Sequence, residues 1–371
     1  MSARQSRPLR VVQVSLHADP LRRGARALLA AWPTLSNVAA AASRAGVEVT
    51  VVQTAAAREV LSREDVDFHF VPGAHREWTR VYDMVSALSP DVVHTQGLSF
   101  PRAMRALARA ARGAPVLAQD RGNTLPVGWR VPAWRFAHSA LGGVAFTSQE
   151  QAEPWKRSRI FRSDLPVFEV LGGSTTFAPG NQADAQREMG MYGDPCVLWC
   201  GRLDANKDPL AMLDAVEVAA TALPDLALWC CFGDAPLEAA VRARIAASVV
   251  LTRCVTLLGT RPHAELEMRC RAADLFVQTS HKEGGSFALI EALACGVTPI
   301  VTDIPSARRI VGQVGSLTPV GDSAALAAAI IDFAARDRVA LRVRARAHFE
   351  HSLTYDTIGF ELRAAYEGLL Q

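Results

Sequence analysis

Apolar and polar positions along the chain alternate between two regimes. Short runs rich in Val, Leu and Phe recur at 9–16, 47–53, 67–71, 91–95, 116–119, 143–147 and 167–171. Their length and β-branched content predict buried strands. Between them, Ala-, Leu- and Arg-rich stretches at 33–45, 78–88, 101–111 and 149–158 carry helical spacing. The alternation breaks at 172–180, Gly-Gly-Ser-Thr-Thr-Phe-Ala-Pro-Gly, a turn-rich segment that reads as a linker. It then restarts, with strands at 196–200, 226–232, 255–258, 275–279 and 298–302 and helices at 209–223, 236–247, 263–272 and 286–294. A last helix, 355–370, has no strand of its own. The pattern predicts an α/β protein of two Rossmann-like doubly wound domains. Residues 1–178 form the first and 179–353 the second, with a helix at 354–371 folding back on the first.

The composition fits that picture. Of 371 residues, 50% are hydrophobic and 21% charged, as in a globular protein. No uncharged apolar stretch of about 18 or more residues predicts a membrane span. The first ten residues hold three arginines and no apolar core, so a signal peptide is not expected. All seven cysteines follow residue 190, with no Cys-x2-Cys spacing. They read as buried reduced thiols, consistent with a cytoplasmic protein.

Charge is uneven. Residues 1–180 carry 22 Lys and Arg against 14 Asp and Glu, and the rest 18 against 23, so +8 and −5 make up the net +3. A basic first half suits acidic acceptors, phosphates or an anionic lipid surface, and equally an Arg-rich solvated face. In 19–32, Arg22, Arg23 and Arg26 mix with Leu21, Leu28, Leu29 and Trp32. That segment could lie weakly on the inner face of a membrane or meet a lipid-linked acceptor. Pro20 and Pro33 bracket it so closely that packing on its own domain is the favoured reading. A nucleic-acid partner is not expected.

Two segments carry candidate chemistry. The first is His281-Lys282-Glu283-Gly284-Gly285-Ser286-Phe287 running into a helix that holds Glu291. Gly284 and Gly285 permit a tight turn and close backbone approach. Ser286 is a candidate N-cap, which would leave the N–H groups of Gly285, Ser286 and Phe287 facing a phosphate. Glu283 and Glu291 suit sugar or ribose hydroxyls, since a carboxylate accepts two O–H groups and repels phosphate. The second is Gly201-Arg202-Leu203-Asp204-Ala205-Asn206-Lys207 at the end of a strand. Arg202 and Lys207 would there hold a diphosphate and stabilise its growing charge as it leaves. Each segment alone also fits an ordinary loop with surface charges.

Together they resemble the retaining glycosyltransferases of family four, the group 1 glycosyl transferases, which have the GT-B fold. The resemblance rests on Gly201-Arg202-Leu203 with Lys207, on Gly233 and Gly259 after their strands, and on Ala272-Ala273-Asp274-Leu275-Phe276-Val277. It continues through Glu283…Glu291-Ala292-Leu293-Ala294-Cys295-Gly296, Pro299 and Thr302-Asp303, covering most of 195–320. It implies transfer of a sugar from a nucleotide-diphosphate sugar to a hydroxyl on a glycan, a lipid-linked or a small-molecule acceptor. It also implies a donor site in the second domain, an acceptor site in the first, and chemistry in a central cleft. No metal or other cofactor is implied. Glu283 would touch the sugar, Glu291 the ribose, Arg202 and Lys207 the diphosphate, and Arg261 the base.

The first half departs from the family. After its first strand the stretch from His17 to Gly24 has one glycine where relatives are glycine-rich. At Gln119-Asp120-Arg121-Gly122-Asn123, Arg121 stands where many relatives have a catalytic-region His, leaving Asp120 as the nearest candidate base. His94 and His17 are the acceptor-side candidates. The alternatives are a sugar-nucleotide-binding protein that has lost transfer and, less well supported, an epimerase on the same fold.

Overall fold

The computed structural model describes residues 7–73 and 78–371, so most of the basic N-terminal decapeptide lies outside the described residues. The chain divides into two compact units, Met1–Gly173 with Tyr355–Gln371, and Ser174–Thr354. The first boundary falls within the glycine-rich stretch, five residues before the 178/179 division read from the sequence. Phe177 and Ala178 already belong to the second unit, where Ala178 N–H donates to Glu267.

The first unit runs β1 (Leu9–Ser15), α1 (Ala25–Ala31), α2 (Pro33–Arg44), β2 (Val47–Ala55), β3 (Glu59–Arg63), β4 (Val66–Pro72), α3 (Thr79–Leu88) and β5 (Val92–Gln96). It continues with α4 (Pro101–Ala110), β6 (Val116–Gln119), α5 (Arg130–His138), β7 (Gly143–Phe146), α6 (Glu153–Arg157) and β8 (Val167–Glu169). The sheet order is β3-β4-β2-β1-β5-β6-β7-β8, parallel except for β3 on β4. The chain steps outward from β1 to one edge and then restarts at β5 on its other side. The β1/β5 junction is therefore the switch point, where an open α/β sheet leaves a crevice at its carboxyl edge.

The sequence reading missed β3 and α5. The β3–β4 hairpin turns on Glu64 and Asp65, both at positive φ (52° and 57°). That turn geometry is normally signalled by Asn-Gly, and two acidic residues conceal it. In the 19–32 segment, α1 buries Leu28 and Leu29 against its own unit, and Asp19 clamps Arg23 at 2.8 Å. The apolar side of α1 thus packs on its own unit, while Leu21 before it is 73% exposed.

The second unit runs α7 (Gln182–Met189), β9 (Cys196–Gly201), α8 (Pro209–Ala222), β10 (Ala227–Phe232), α9 (Glu238–Ala246), α10 (Val249–Cys254), β11 (Val255–Gly259) and α11 (His263–Ala272). It continues with β12 (Leu275–Gln278), α12 (Phe287–Ala294), β13 (Thr298–Thr302), α13 (Pro305–Val311), β14 (Ser316–Thr318), α14 (Ser323–Ala334) and α15 (Arg338–Ser352). Its all-parallel sheet has the order β11-β10-β9-β12-β13-β14, with the switch point between β9 and β12. Strand residues such as Val197, Leu228, Val277 and Ile300 are buried in one core with Met212, Val216 and Ile330 from the helices. The seven cysteines are free thiols, and all but half-buried Cys200 are buried.

The last helix, α16 (Tyr355–Gly368), belongs to the first unit. It lies against the alanine-rich face of α2, so closely that a Cβ on Gly359 would stand 2.2 Å from Ala41 O. Arg44 pairs with Asp356 at 2.8 Å, and Arg363 donates to Ala45 O at 2.9 Å. No described helix is long and apolar enough to cross a membrane.

Candidate active site

At the second unit's switch point, β9 ends in the loop that carries Arg202 and Lys207, and β12 ends in the loop that carries Glu283. Several bonds tie the two loops together. Thr279 Oγ1 donates to Lys207 O (2.7 Å), His281 N–H to Asn206 O (2.8 Å) and Asn206 Nδ2 to Lys282 O (3.0 Å). Asp208, at φ 45°, caps α8 through Ala211 N–H and lies 2.9 Å from His281 Nε2. The lysine stem passes close to Gly201, where a Cβ would already meet Lys207 Cδ at 3.5 Å and the Trp199 ring at 3.2 Å.

Lys207 Nζ and Glu283 Oε1 form an ion pair at 2.5 Å, with 16% and 13% of the side chains exposed. Pairing two residues 76 positions apart at the end of adjacent strands gives one spot a fixed cation and a fixed hydroxyl acceptor. Ser306 Oγ holds Glu283 O at 3.1 Å from the far side. Arg202 is more exposed and pairs with Asp204 at 2.8 Å. Gly284 and Gly285 are half-buried and lead into α12, whose first N–H groups have no intrahelical partner. Ser286 has N-cap backbone geometry, but its hydroxyl caps nothing and donates to Gln278 Oε1 at 2.5 Å. Ser286 is thus the N-cap residue expected from the sequence, and its hydroxyl leaves the helix start to the backbone alone. Phe287 is 42% exposed at that start.

Glu291 faces the first residue of α11: His263 Nε2 lies 2.7 Å from its carboxylate. Burial raises the Glu291 pKa, and the His263 contact offsets part of that rise. The sequence reading did not single out His263. Lying 28 residues away, it is brought to Glu291 only by the β11–α11 crossover. The loop before it places exposed Arg261 with its guanidinium donating to Leu258 O at 2.9 Å. Among the described residues no group of three His, Cys, Asp or Glu is arranged to hold a metal.

The first unit's edge corrects three residues. His94 is not at a ligand surface: it is fully buried in β5, with Nδ1 2.7 Å from the Tyr366 hydroxyl of α16. Loss of hydration lowers its pKa to about 3, and the Arg121 charge adds to that, so the ring is neutral. Arg121 turns its guanidinium back toward the sheet, donating to Gln96 Oε1 (2.7 Å) and to Gly172 O. Burial lowers its pKa to about 10, still a cation at neutral pH. The Asp120 carboxylate accepts from Gly122 N–H (3.0 Å) and Asn123 N–H (2.9 Å), shaping the turn rather than facing a substrate. His17 differs. It follows β1, sets its ring edge against Phe100 at 4.8 Å, and lies over Gly97 at the switch point. Burial and then Arg121 lower its pKa, keeping it neutral at pH 7.

Residues 194–336 match the family model for glycosyl transferases group 1. The chain is 25% identical over 241 residues to a GDP-mannose:cellobiosyl-diphosphopolyprenol alpha-mannosyltransferase of Xanthomonas campestris, covering 61% of this chain and 60% of that one. It is 29% identical over 241 residues to a D-inositol 3-phosphate glycosyltransferase of Nocardia farcinica, covering 62% and 51%. The matched stretch thus spans about half to three fifths of these relatives. Among solved structures, Anabaena HepE in complex with UDP superimposes with a TM-score of 0.71 at 17% identity, over 97% of this chain and 100% of that one. That likeness shows the fold, the GT-B type of two Rossmann-like domains.

Proposed function

We propose, for a chain whose residues 194–336 belong to the glycosyl transferases group 1 family, that it moves a sugar from a nucleotide-diphosphate donor to an acceptor hydroxyl with retained configuration. The observation that carries this reading is the Lys207–Glu283 pair at the β9/β12 switch point, beside the open start of α12. A diphosphate fits that spot because the lysine, the nearby Arg202 and the backbone N–H groups all favour negative charge. As the glycosidic bond breaks, charge grows on the leaving diphosphate, and the same groups stabilise it more in the transition state than before. They take the role a metal ion plays elsewhere.

Glu283 would orient the sugar through its hydroxyls, and Glu291 would accept from the ribose. With Asp120 engaged in its own turn and Arg121 in Gln96 and the Gly172 carbonyl, the leaving phosphate oxygen is the proposed acceptor of the incoming hydroxyl's proton. His17 would position that hydroxyl as a neutral hydrogen-bonding group.

For the acceptor, the first unit has a hollow of about 730 Å³ lined by Ala18, Arg22, Thr54 and Arg80. Asp19 also lines it but is paired with Arg23, so the guanidinium groups of Arg22 and Arg80 favour a phosphate-bearing acceptor. Both relatives named above act, by their names, on acceptors that carry phosphate. The proposed setting is the cytoplasm, at the inner membrane face if the acceptor is lipid-linked.

Thermal unfolding in the presence of UDP, GDP and ADP tests the donor site, since a ligand bound only by the folded chain raises its melting temperature. One of the three should stabilise wild type and fail on the Lys207→Met variant. No stabilisation by any of them refutes the reading. A protein that binds donor without transferring would show the shift but release no nucleoside diphosphate with any acceptor. The engaged Asp120 and Arg121 are what keep that second reading in view.

A further inference from the structure

From 92 to 149 the chain has seven arginines and a single acidic residue, Asp120, whose carboxylate is spent on its own turn. Four of the arginines, Arg102, Arg105, Arg109 and Arg130, line one groove of about 910 Å³ that α4 and α5 border. Phe100, Trp134 and Phe136 line it with Arg102, Arg105 and Arg109, and among the described residues none that lines it is acidic. Beside the groove, apolar side chains stand out into solvent: Trp129 is 87% exposed, Val127 77% and Phe136 64%. Arg105 stacks over the Phe136 ring at 4.1 Å and donates to Phe136 O at 3.2 Å, which fixes that ring in its outward position. Protruding aromatics among unpaired-sign charges are costly on a face meant only for water.

We propose that this α4–α5 face docks on a bilayer containing anionic phospholipid. Trp129, Val127 and Phe136 enter the boundary between headgroups and acyl chains, where an indole places its ring in lipid and its N–H among polar groups. Arg102, Arg109 and Arg130 meet the lipid phosphates. A second copy of the chain is a poor occupant, because a two-fold contact would set this arginine cluster against itself. The surface lies at α4–α5 and not in the 19–32 segment, where Leu28 and Leu29 are buried and only Leu21 of the three leucines stands out. It is independent of donor chemistry and holds whether or not the chain transfers sugar.

The test is cosedimentation of the full chain with vesicles of phosphatidylcholine alone or mixed with phosphatidylglycerol. Binding should be at least about tenfold tighter to the mixed vesicles and weaken with added salt. The Trp129→Ser/Phe136→Ser and Arg102→Glu/Arg109→Glu variants should each lose about tenfold or more, with unchanged circular dichroism and unchanged stabilisation by nucleoside diphosphate. Vesicle-dependent blue shift of tryptophan fluorescence should shrink in the first variant. Equal binding to both vesicle types, undiminished binding by the variants, capture of single-stranded oligonucleotide in place of vesicles, or a dimer that the variants abolish would each overturn the proposal.

Discussion

Replacing each partner of the Lys207–Glu283 pair should move nucleoside diphosphate affinity in opposite directions. The two groups are 2.5 Å apart and mostly shielded from water, so in the free protein each charge is largely answered by the other. A diphosphate that reaches Lys207 must share it with Glu283 and also approach that carboxylate. At the intermediate dielectric of a half-buried site, a like charge several ångströms away costs on the order of 1 kcal/mol after screening. Glu283→Gln keeps the shape and removes the charge, so nucleoside diphosphate should bind roughly fivefold tighter. Lys207→Met removes a charge-assisted hydrogen bond worth about 1.5–3 kcal/mol, so binding should weaken roughly 10- to 100-fold. Both variants should nonetheless lose transfer. The glutamine orients the sugar poorly, and the methionine leaves the departing phosphates without a cation. Titration calorimetry with the nucleotide that stabilises wild type, run at two salt concentrations, reads the sign directly. Equal weakening by both variants, together with a matching fall in melting temperature, would mean that the pair is a structural brace and would remove the donor assignment.

Three further outcomes are expected. Tyr366→Phe removes the hydroxyl that meets His94 and Gln13, leaving buried polar atoms short of a partner; urea denaturation should show a loss of about 1–3 kcal/mol with donor binding unchanged. Gly359→Ala drives a methyl into the Ala41 carbonyl, and should cost about 1–3 kcal/mol or more, read as a lower melting temperature. Because burial raises the Glu291 pKa, the folded chain takes up that proton more readily than the unfolded one. Its favourable contribution to folding is therefore full at acid pH and lost as pH rises through the raised value. Ribose binding runs the other way, so nucleotide affinity should fall on acidification with a midpoint above the ordinary carboxylate range, and Glu291→Gln should flatten that limb.

The alternation of strand and helix was legible because each buried parallel strand must be apolar on both faces and each crossover helix on one. The break at 172–180 was visible for the same reason, although the division within it depends on which neighbours Ser174 to Ala178 find. Features set by contact between distant residues were not legible. His94 reads as a polar residue at a strand end, and only α16, arriving 272 positions later, supplies the hydroxyl that makes it a core residue. The Glu291–His263 contact likewise needs the β11–α11 crossover. Arg121 reads as a catalytic-region group because it stands where many relatives of the resembled family have a His. Gln96 and the Gly172 carbonyl draw it inward, and neither is marked by any local pattern. The Lys207 and Glu283 segments were recognisable because a switch point uses the ends of two particular strands, and both carried glycine-bearing turns at those ends.

The placement of α16 fixes an order of assembly. The N-terminal sheet is made first on the ribosome, yet the helix that covers α2 and satisfies His94 is translated after all of the second unit. Until residues 355–371 emerge, the early half stays unfinished, with the small side chains of α2 uncovered and a histidine short of its phenol. Domains generally mature one after another as they are synthesised. Here the later half is free to close first, and the earlier half completes only when residues 355–371 return to it.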